Sequence, residues 1–403
     1  MKNKILILYI FLIIILISGC WDRQEPENRA IILVAGYDYN PRRDLYKLIL
    51  QINNTLGPQN EEGTEGKPPF WTVSAWGSTP IKAIANIRKK VSRNIFYSHL
   101  KILVISDTLA QTKGLVPVMD ALSRTRQSRP TIQIAVTDAK VEEILNFEHP
   151  IESVAGTGLR NLIELTEKEL GTAITQTGKE VLNKLATPGI EPIAIYLQKR
   201  NSGSENDSEG DLTEKKPGVA LGGLVSFRNT KMVGILNNEE AQGWNFISGQ
   251  SPTAVLNITY PQKKDIKATV KTKRTDQQII PLYDEKLNQP QIKIKTTVEG
   301  KIIDFTGPVS LKKESKITHS LEQRLAEAVR NRIKQALEKS RLLKSDIYGL
   351  GNSFYRQKNK QWEKINTNWE KRFAELPVKI EVKTSISRSG MVNHGLKKNT
   401  ERY

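Results

Sequence analysis

Apolar positions along the chain fall into three patterns. The first is an unbroken run from Ile5 to Ile17. At 1.5 Å per helical residue it reaches roughly 20 Å, short of the roughly 30 Å hydrocarbon core of a bilayer. The second pattern is strand alternating with helix. Ala30–Ala35 and Leu45–Ile52 are apolar runs separated by the turn-like Tyr37–Asp44, which predicts a hairpin. Behind Thr79-Pro80, residues Ile81, Ile84, Ala85, Ile87 and Val91 recur at helical spacing. Leu100–Ser106, Thr131–Thr137 and Ile193–Leu197 read as strands. Thr108–Ser123 (broken at Gly114 and Pro117), Val141–Phe147, Ile151–Leu170 and Gly178–Leu185 read as helices. Such alternation argues a mixed α/β domain.

The third pattern is a block of strands followed by helices. Val219–Phe227 and Met232–Leu236 form a predicted hairpin, and a small module ends near Gly249. Strands follow at Ala254–Thr259, Ile266–Lys271 and Ile292–Val298, the last running on to Phe305. Their alternation, as in Ile292, Ile294, Thr296 and Val298, is that of half-buried antiparallel strands. Ser315–Leu343 is the longest predicted helix, with Leu321, Leu325, Val329, Ile333 and Leu337 on the stripe that packs on its own sheet. A second helix carries Phe354, Tyr355, Trp362, Ile365, Trp369 and Phe373 as core. Pro377 stops it, and Val378–Ile386 closes the sheet.

Two stretches interrupt these patterns. Gly57–Pro69 is a Gly/Glu/Pro-rich loop, and Asn201–Lys216 has Leu212 as its one apolar residue, too few to offset the entropy of ordering. The expected organisation is therefore a signal segment at 1–19, an N-terminal mixed α/β domain at 20–198 and an acidic linker or loop at 199–217. A small module follows at 218–250, able to take in 186–198, then a C-terminal α+β domain at 251–390 and a basic tail at 391–403.

Composition narrows the class. A chain of 403 residues exceeds one hydrophobic core. Its 38% hydrophobic and 26% charged residues exclude wholesale disorder and a polytopic membrane protein. The single cysteine, Cys20, excludes a disulfide framework and a cysteine zinc cluster. That cysteine ends Ile17-Ser18-Gly19-Cys20, directly after the apolar run and the basic Lys2 and Lys4. A short apolar region behind a basic start is an export signal. Its ending resembles the bacterial lipobox, with cleavage between Gly19 and Cys20 and a diacylglyceryl thioether, with or without an added N-acyl chain, on Cys20. Acyl chains paired on one residue anchor stably. The net charge of +18 then suits a surface of anionic lipids and wall polymers. Nucleic acid is not an expected partner, since no recognition motif accompanies the charge.

The search for chemistry finds no His-Glu-x-x-His pair and no Gly-x-Ser-x-Gly elbow. Gly171 and Gly178-Lys179 have the wrong spacing for a phosphate loop, and Glu180 stands where a hydroxyl belongs. Gly156 and Gly158 read as a bend. Ser98 and His99, neighbours at a strand start, point to opposite faces and cannot act as nucleophile and base. No catalytic residue, cofactor or metal site is expected. The remaining candidate for interaction or structure is Ser345-Asp346-Ile347-Tyr348-Gly349-Leu350-Gly351, with Ser345, Asp346, Tyr348, Gly349 and Gly351 as its marked residues. It reads as a helix C-terminus where Gly349 and Gly351 permit positive φ.

Several stretches together resemble a family. These are Gly19-Cys20-Trp21-Asp22-Arg23 with Ala30–Asp38, and Ser98-His99-Leu100-Lys101. Leu109-Ala110 through Gly114-Leu115, and Asp120 with Arg124, follow. Most specific are Ser345–Gly351, Trp362, Trp369, Phe373, Val378–Ser387 and Gly390. They are similar to the Ger(x)C spore germination lipoproteins, the C subunits of GerA-type nutrient germinant receptors. The sequence departs from the family at Glu25–Arg29 and in the acidic stretch. The resemblance implies three mixed α/β domains with largely antiparallel sheets, an α+β fold without catalysis. It implies a lipid anchor on the outer face of the spore inner membrane beside polytopic A and B subunits. Whether this subunit binds the nutrient stays open. The alternative is a solute-binding lipoprotein that captures a small molecule between domains.

Overall fold

The computed structural model describes residue 4 and residues 28–53, 70–125, 129–147, 152, 154–200, 218–250, 253–260, 267–287, 289–306 and 315–387. Gly19, Cys20, Gly57–Pro69, the acidic stretch 201–216 and the tail 391–403 lie outside the described residues.

The fold is α+β, with two mixed sheets. The first has nine strands. β1 (Arg29–Asn40), β2 (Leu45–Asn53) and β3 (Phe70–Gly77) form an antiparallel meander. The β1–β2 turn is confined to 41–44, so Tyr37–Asn40, expected in the turn, belong to the strand. On its other side β1 pairs in parallel with β4 (Asn94–Phe96) and β5 (Ile102–Ser106). β6 (Gln133–Thr137) and β7 (Ile193–Arg200) continue in parallel. β8 (Gly218–Arg228) and β9 (Lys231–Leu236) finish the sheet antiparallel. Residues 218–236, expected within a small module, are thus the last two strands of this sheet.

Parallel strands need crossovers, and crossovers cover both faces. This is why β5 and β6 are buried at every position. The helices involved are α1 (Pro80–Arg88), α2 (Asp107–Thr112), α3 (Val116–Arg124), α4 (Val141–Leu145), α5 (Ala155–Leu170) and α6 (Gly178–Ala186). Thr79 caps α1 by accepting the Lys82 N–H at 3.1 Å, with Pro80 in the first turn. One face of the sheet packs Leu48, Leu103, Ile134 and Val225 with α1 to α3. The other packs Val34, Ile49, Val104 and Ile195 with α4 and α5.

The second sheet runs β10 (Val255–Thr259), β11 (Lys267–Asp284), β12 (Gln289–Thr306) and β13 (Val378–Ser387). β11 extends far beyond the expected strand because β12 pairs it along nearly its whole length, through bulges near Val270 and Thr272. β13 is parallel to β12, so the chain between them must cross over. It does so through α8 (Ser315–Leu342), whose Leu321, Leu325, Val329 and Ile333 bury completely against Ile292, Ile294 and Val298.

Two helical expectations are corrected. The aromatic segment is not one helix but α9 (Leu350–Gln357), α10 (Asn359–Ile365) and α11 (Trp369–Glu375). Lys358, at φ −142° and ψ 59°, and the left-handed Asn368 break it; Phe354, Trp362, Ile365, Trp369 and Phe373 are core as expected, whereas Tyr355 faces solvent because it falls on the outer side of the short α9. The second correction is an unforeseen helix, α7 (Asn237-capped, Asn238–Ser248). Residues Ala241 to Ile247 are all buried there, so it has no polar stripe and no amphipathic period. α7 lies between the sheets. Thr296 of β12 donates to the Phe246 carbonyl at 3.2 Å, and Arg332 of α8 pairs with Glu239. One apolar cluster therefore runs from β1 through Trp244 and Phe246 to β12 and α8.

Candidate functional site at the Ser345–Gly351 turn

α8 ends in a Schellman arrangement. The Ser345 N–H donates to the Ser340 carbonyl at 3.1 Å and the Lys344 N–H to Arg341 at 3.0 Å. The left-handed residue this requires is Lys344, at φ 51°, and not a glycine. Gly349 does take positive φ, at 71°. Gly351 does not, because it sits in the first turn of α9. Its lack of a side chain serves close approach instead. A Cβ there would lie 2.7 Å from the Trp369 ring and 2.9 Å from the Gly189 Cα.

Each residue of the turn holds a different element. The Ser345 hydroxyl, fully buried, donates to the Phe227 carbonyl and accepts from the Ser226 hydroxyl at 2.9 Å, which fastens the turn to β8. Trp244 of α7 donates its indole N–H to the Ile347 carbonyl at 3.0 Å. Tyr348 and Ser340 meet hydroxyl to hydroxyl at 3.2 Å. The Glu191 N–H donates to the Asp346 carbonyl at 2.8 Å, and the Asn352 N–H to Gly189 at 2.8 Å, so the loop before β7 is stitched in as well.

Asp346 is the buried centre. Its Oδ1 accepts the Leu350 N–H at 3.0 Å, and its Oδ2 accepts the Gly351 N–H at 2.7 Å and the Trp369 indole at 3.0 Å. Burial pushes its carboxyl up to about 6, and these donors oppose the rise. Close by, burial first and then the charges of Asp346 and Glu370 push Glu191 up to about 7, while the Asn229 N–H and Arg228 pull it down. Both carboxylates line a cavity of about 440 Å³ with Trp362, Trp369, Asn229 and Lys344. Among the described residues, three of the four non-glycine residues with positive φ line it: Asn229, Lys344 and Asn368. Glu370 at its rim bonds Asn229 at 3.3 Å and pairs with Arg228 at 3.7 Å. The arrangement binds the β8–β9 turn, the 188–191 loop and the helices after α8 into one joint.

Sequence reasoning marked the turn but missed Glu191, Asn229, Trp244 and Lys344. Only the Asn237–Glu240 capping box of α7 was a local signal. Other marked residues stay apart from the joint. Ser98 and His99 form the turn between β4 and β5 rather than a strand start, with the exposed His99 ring 5.7 Å from Phe96. Gly171 ends α5 in the left-handed region, and Glu180 is spent on the Thr177 cap of α6. Gly156 and Gly158, expected in a bend, lie in the first turn of α5. Among the described residues no helix is long and apolar enough to cross a membrane.

The chain belongs to the Ger(x)C family of spore germination proteins. The model of the spore germination protein N-terminal domain matches residues 22–199, and that of the spore germination B3/GerAC-like C-terminal domain matches 222–390. Among its relatives, spore germination protein KC of Bacillus subtilis (strain 168) is 27% identical over 98% of each chain. Spore germination protein B3 of the same organism is 22% identical over 95% of this chain and 97% of its own. The crystal structure of the GerBC protein has the same fold, with a TM-score of 0.54 at 16% identity over 87% of this chain and 97% of that one.

Proposed function

We propose that the chain is the lipid-anchored, non-enzymatic C subunit of a nutrient germinant receptor. A diacylglyceryl thioether on Cys20 holds it on the outer face of the spore inner membrane, beside polytopic A and B subunits. The observation that carries this reading is that two germination-protein family models match residues 22–199 and 222–390, the stretch that follows Cys20. The tether keeps the partners at high effective concentration, so modest contacts suffice for assembly. The joint around Asp346 supports a role in transmission, because it ties β8, the 188–191 loop and the helices after α8 to one another.

Metabolic labelling with an alkyne palmitate analogue during sporulation tests the reading. The wild-type chain is expected to take the label and sediment with membranes. Cys20→Ala is expected to lose the label, enter the soluble fraction and abolish the nutrient response. An unlabelled wild-type chain, or a Cys20→Ala variant that germinates normally on nutrients, overturns it.

A further inference from the structure

The start of β1 and an unbalanced run of charge meet at one corner of the nine-stranded sheet. Arg29, the first residue of β1, pairs in register with Asn94, the first of β4. α1 runs back from the end of β3 and delivers Arg88–Arg93 to that same corner, where the Lys90 ammonium donates to the Ser74 carbonyl at 2.7 Å. No Asp or Glu occurs between Gly66 and Ser106, the stretch that holds Lys82, Arg88, Lys89, Lys90, Arg93 and Lys101. Lys82, Arg88, Lys89 and Arg93 have no salt-bridge partner among the described residues. Ile81, Lys82, Ala85, Arg88 and Lys89 are all exposed and share the outer face of α1, opposite the buried Ala83 and Ile87. Trp71 belongs to the same side. It is 52% exposed and shares its strand face with Val73 and Ala75, which bury in the cluster that holds α1. It pairs with Ile52, and Ile52 with Ile32, so it too lies by the start of β1.

We propose that this corner, Trp71 with the outer face of α1 and Arg88–Arg93, lies against a bilayer of anionic phospholipid. The inference rests on the reading that Cys20 carries the anchor. Residues 21–28 then let β1 begin no more than about 30 Å from the lipid, so the surface around its first residue is held near the headgroups. Each cation close to an anionic leaflet favours contact by about fivefold. With no carboxylate in the run, nothing in it repels the phosphates. A half-exposed indole suits the boundary between headgroups and acyl chains, where aromatic rings collect.

Lysine acetylation by a water-soluble ester, read by mass spectrometry on the full chain in nanodiscs, tests this. Discs containing phosphatidylglycerol are compared with discs of phosphatidylcholine alone. Acetylation of Lys89 is expected to slow about fivefold or more on the anionic discs, while the exposed Lys231 and Lys286 react alike on both. The slowing is expected to vanish in 1 M salt, where the Debye length falls to about 3 Å. Arg88→Gln combined with Arg93→Gln leaves Lys89 as reporter and is expected to abolish most of the slowing at an unchanged urea midpoint. Equal acetylation of Lys89 on the two discs, equal slowing at Lys231 and Lys286, or slowing that survives the double substitution each overturns the proposal. So does soluble polyphosphate that shields Lys89 on phosphatidylcholine discs as fully as the anionic bilayer does. The mass of the Cys20 peptide in the same digest reads the anchor separately from the face.

Discussion

Trp369 donates its indole N–H to Oδ2 of Asp346 at 3.0 Å, across 23 residues of sequence. The same oxygen accepts the Gly351 N–H at 2.7 Å. A carboxylate placed so deeply persists because three donors meet it, and it holds α9 and α11 at a fixed distance from the end of α8.

Removing that acceptor strands the donors. Asp346→Asn preserves one oxygen and turns an amide toward at least one N–H, so a loss of roughly 1–3 kcal/mol is expected. Asp346→Ala orphans all of them and opens a cavity, at about 3–5 kcal/mol. Urea unfolding of both variants at pH 8 reads the difference. Equal midpoints for wild type and Asp346→Ala would show that the carboxylate carries no weight.

Gly351→Ala tests close approach without changing charge. The new methyl meets the Trp369 ring at 2.7 Å and Gly189 at 2.9 Å. Overpacking of this kind costs roughly 1–3 kcal/mol, read as a lower melting temperature and altered tryptophan fluorescence.

Lys344→Gly has the opposite sign. Lys344 is exposed and holds φ 51°, a conformation that costs an L-residue about 1–2 kcal/mol and a glycine little. Offset by the greater unfolded-state entropy of glycine, a net gain of roughly 0.5–1 kcal/mol is expected. A destabilised Lys344→Gly would mean that the lysine side chain matters more than its backbone.

The two carboxylates of the joint set a pH dependence. Their folded values, about 6 for Asp346 and about 7 for Glu191, lie above the ordinary 3.8 and 4.5. The folded state therefore binds protons more tightly than the unfolded one, and stability falls as pH rises through the window from about 4 to about 7. Glu191→Gln is expected to flatten that slope and to be more stable than wild type at pH 8 by roughly 1–3 kcal/mol. Denaturant midpoints taken from pH 5 to pH 8 decide it; parallel curves for the two proteins refute the assignment.

Where one face of an element is wet, the sequence announces it. The fourfold stripe of α8 and the alternation of β12 are legible for that reason; the β1–β2 hairpin, covered on both faces, shows instead as two apolar runs about a polar turn. Elements buried all round lose their period, which is why α7 went unseen despite its capping box. β11 ran longer than its apolar pattern because backbone pairing with β12, not side-chain burial, extends it over Arg274–Gln278. At the joint, Ser345–Gly351 was visible as a turn. The partners that give Asp346 its meaning, Glu191, Trp244 and Trp369, come from distant segments that only tertiary structure brings together. The Schellman end of α8 was misplaced because a lysine occupies the slot where glycine is the usual signal.

α8 runs unbroken for 28 residues, a rod of about 42 Å, and its last turn is bolted through Ser345 to β8. A stiff shaft seated in a rigid socket does not absorb displacement along its length. Between its two ends Leu321, Leu325, Val329 and Ile333 are locked into the second sheet, so the rod cannot slide by itself: where α8 goes, β12 goes with it.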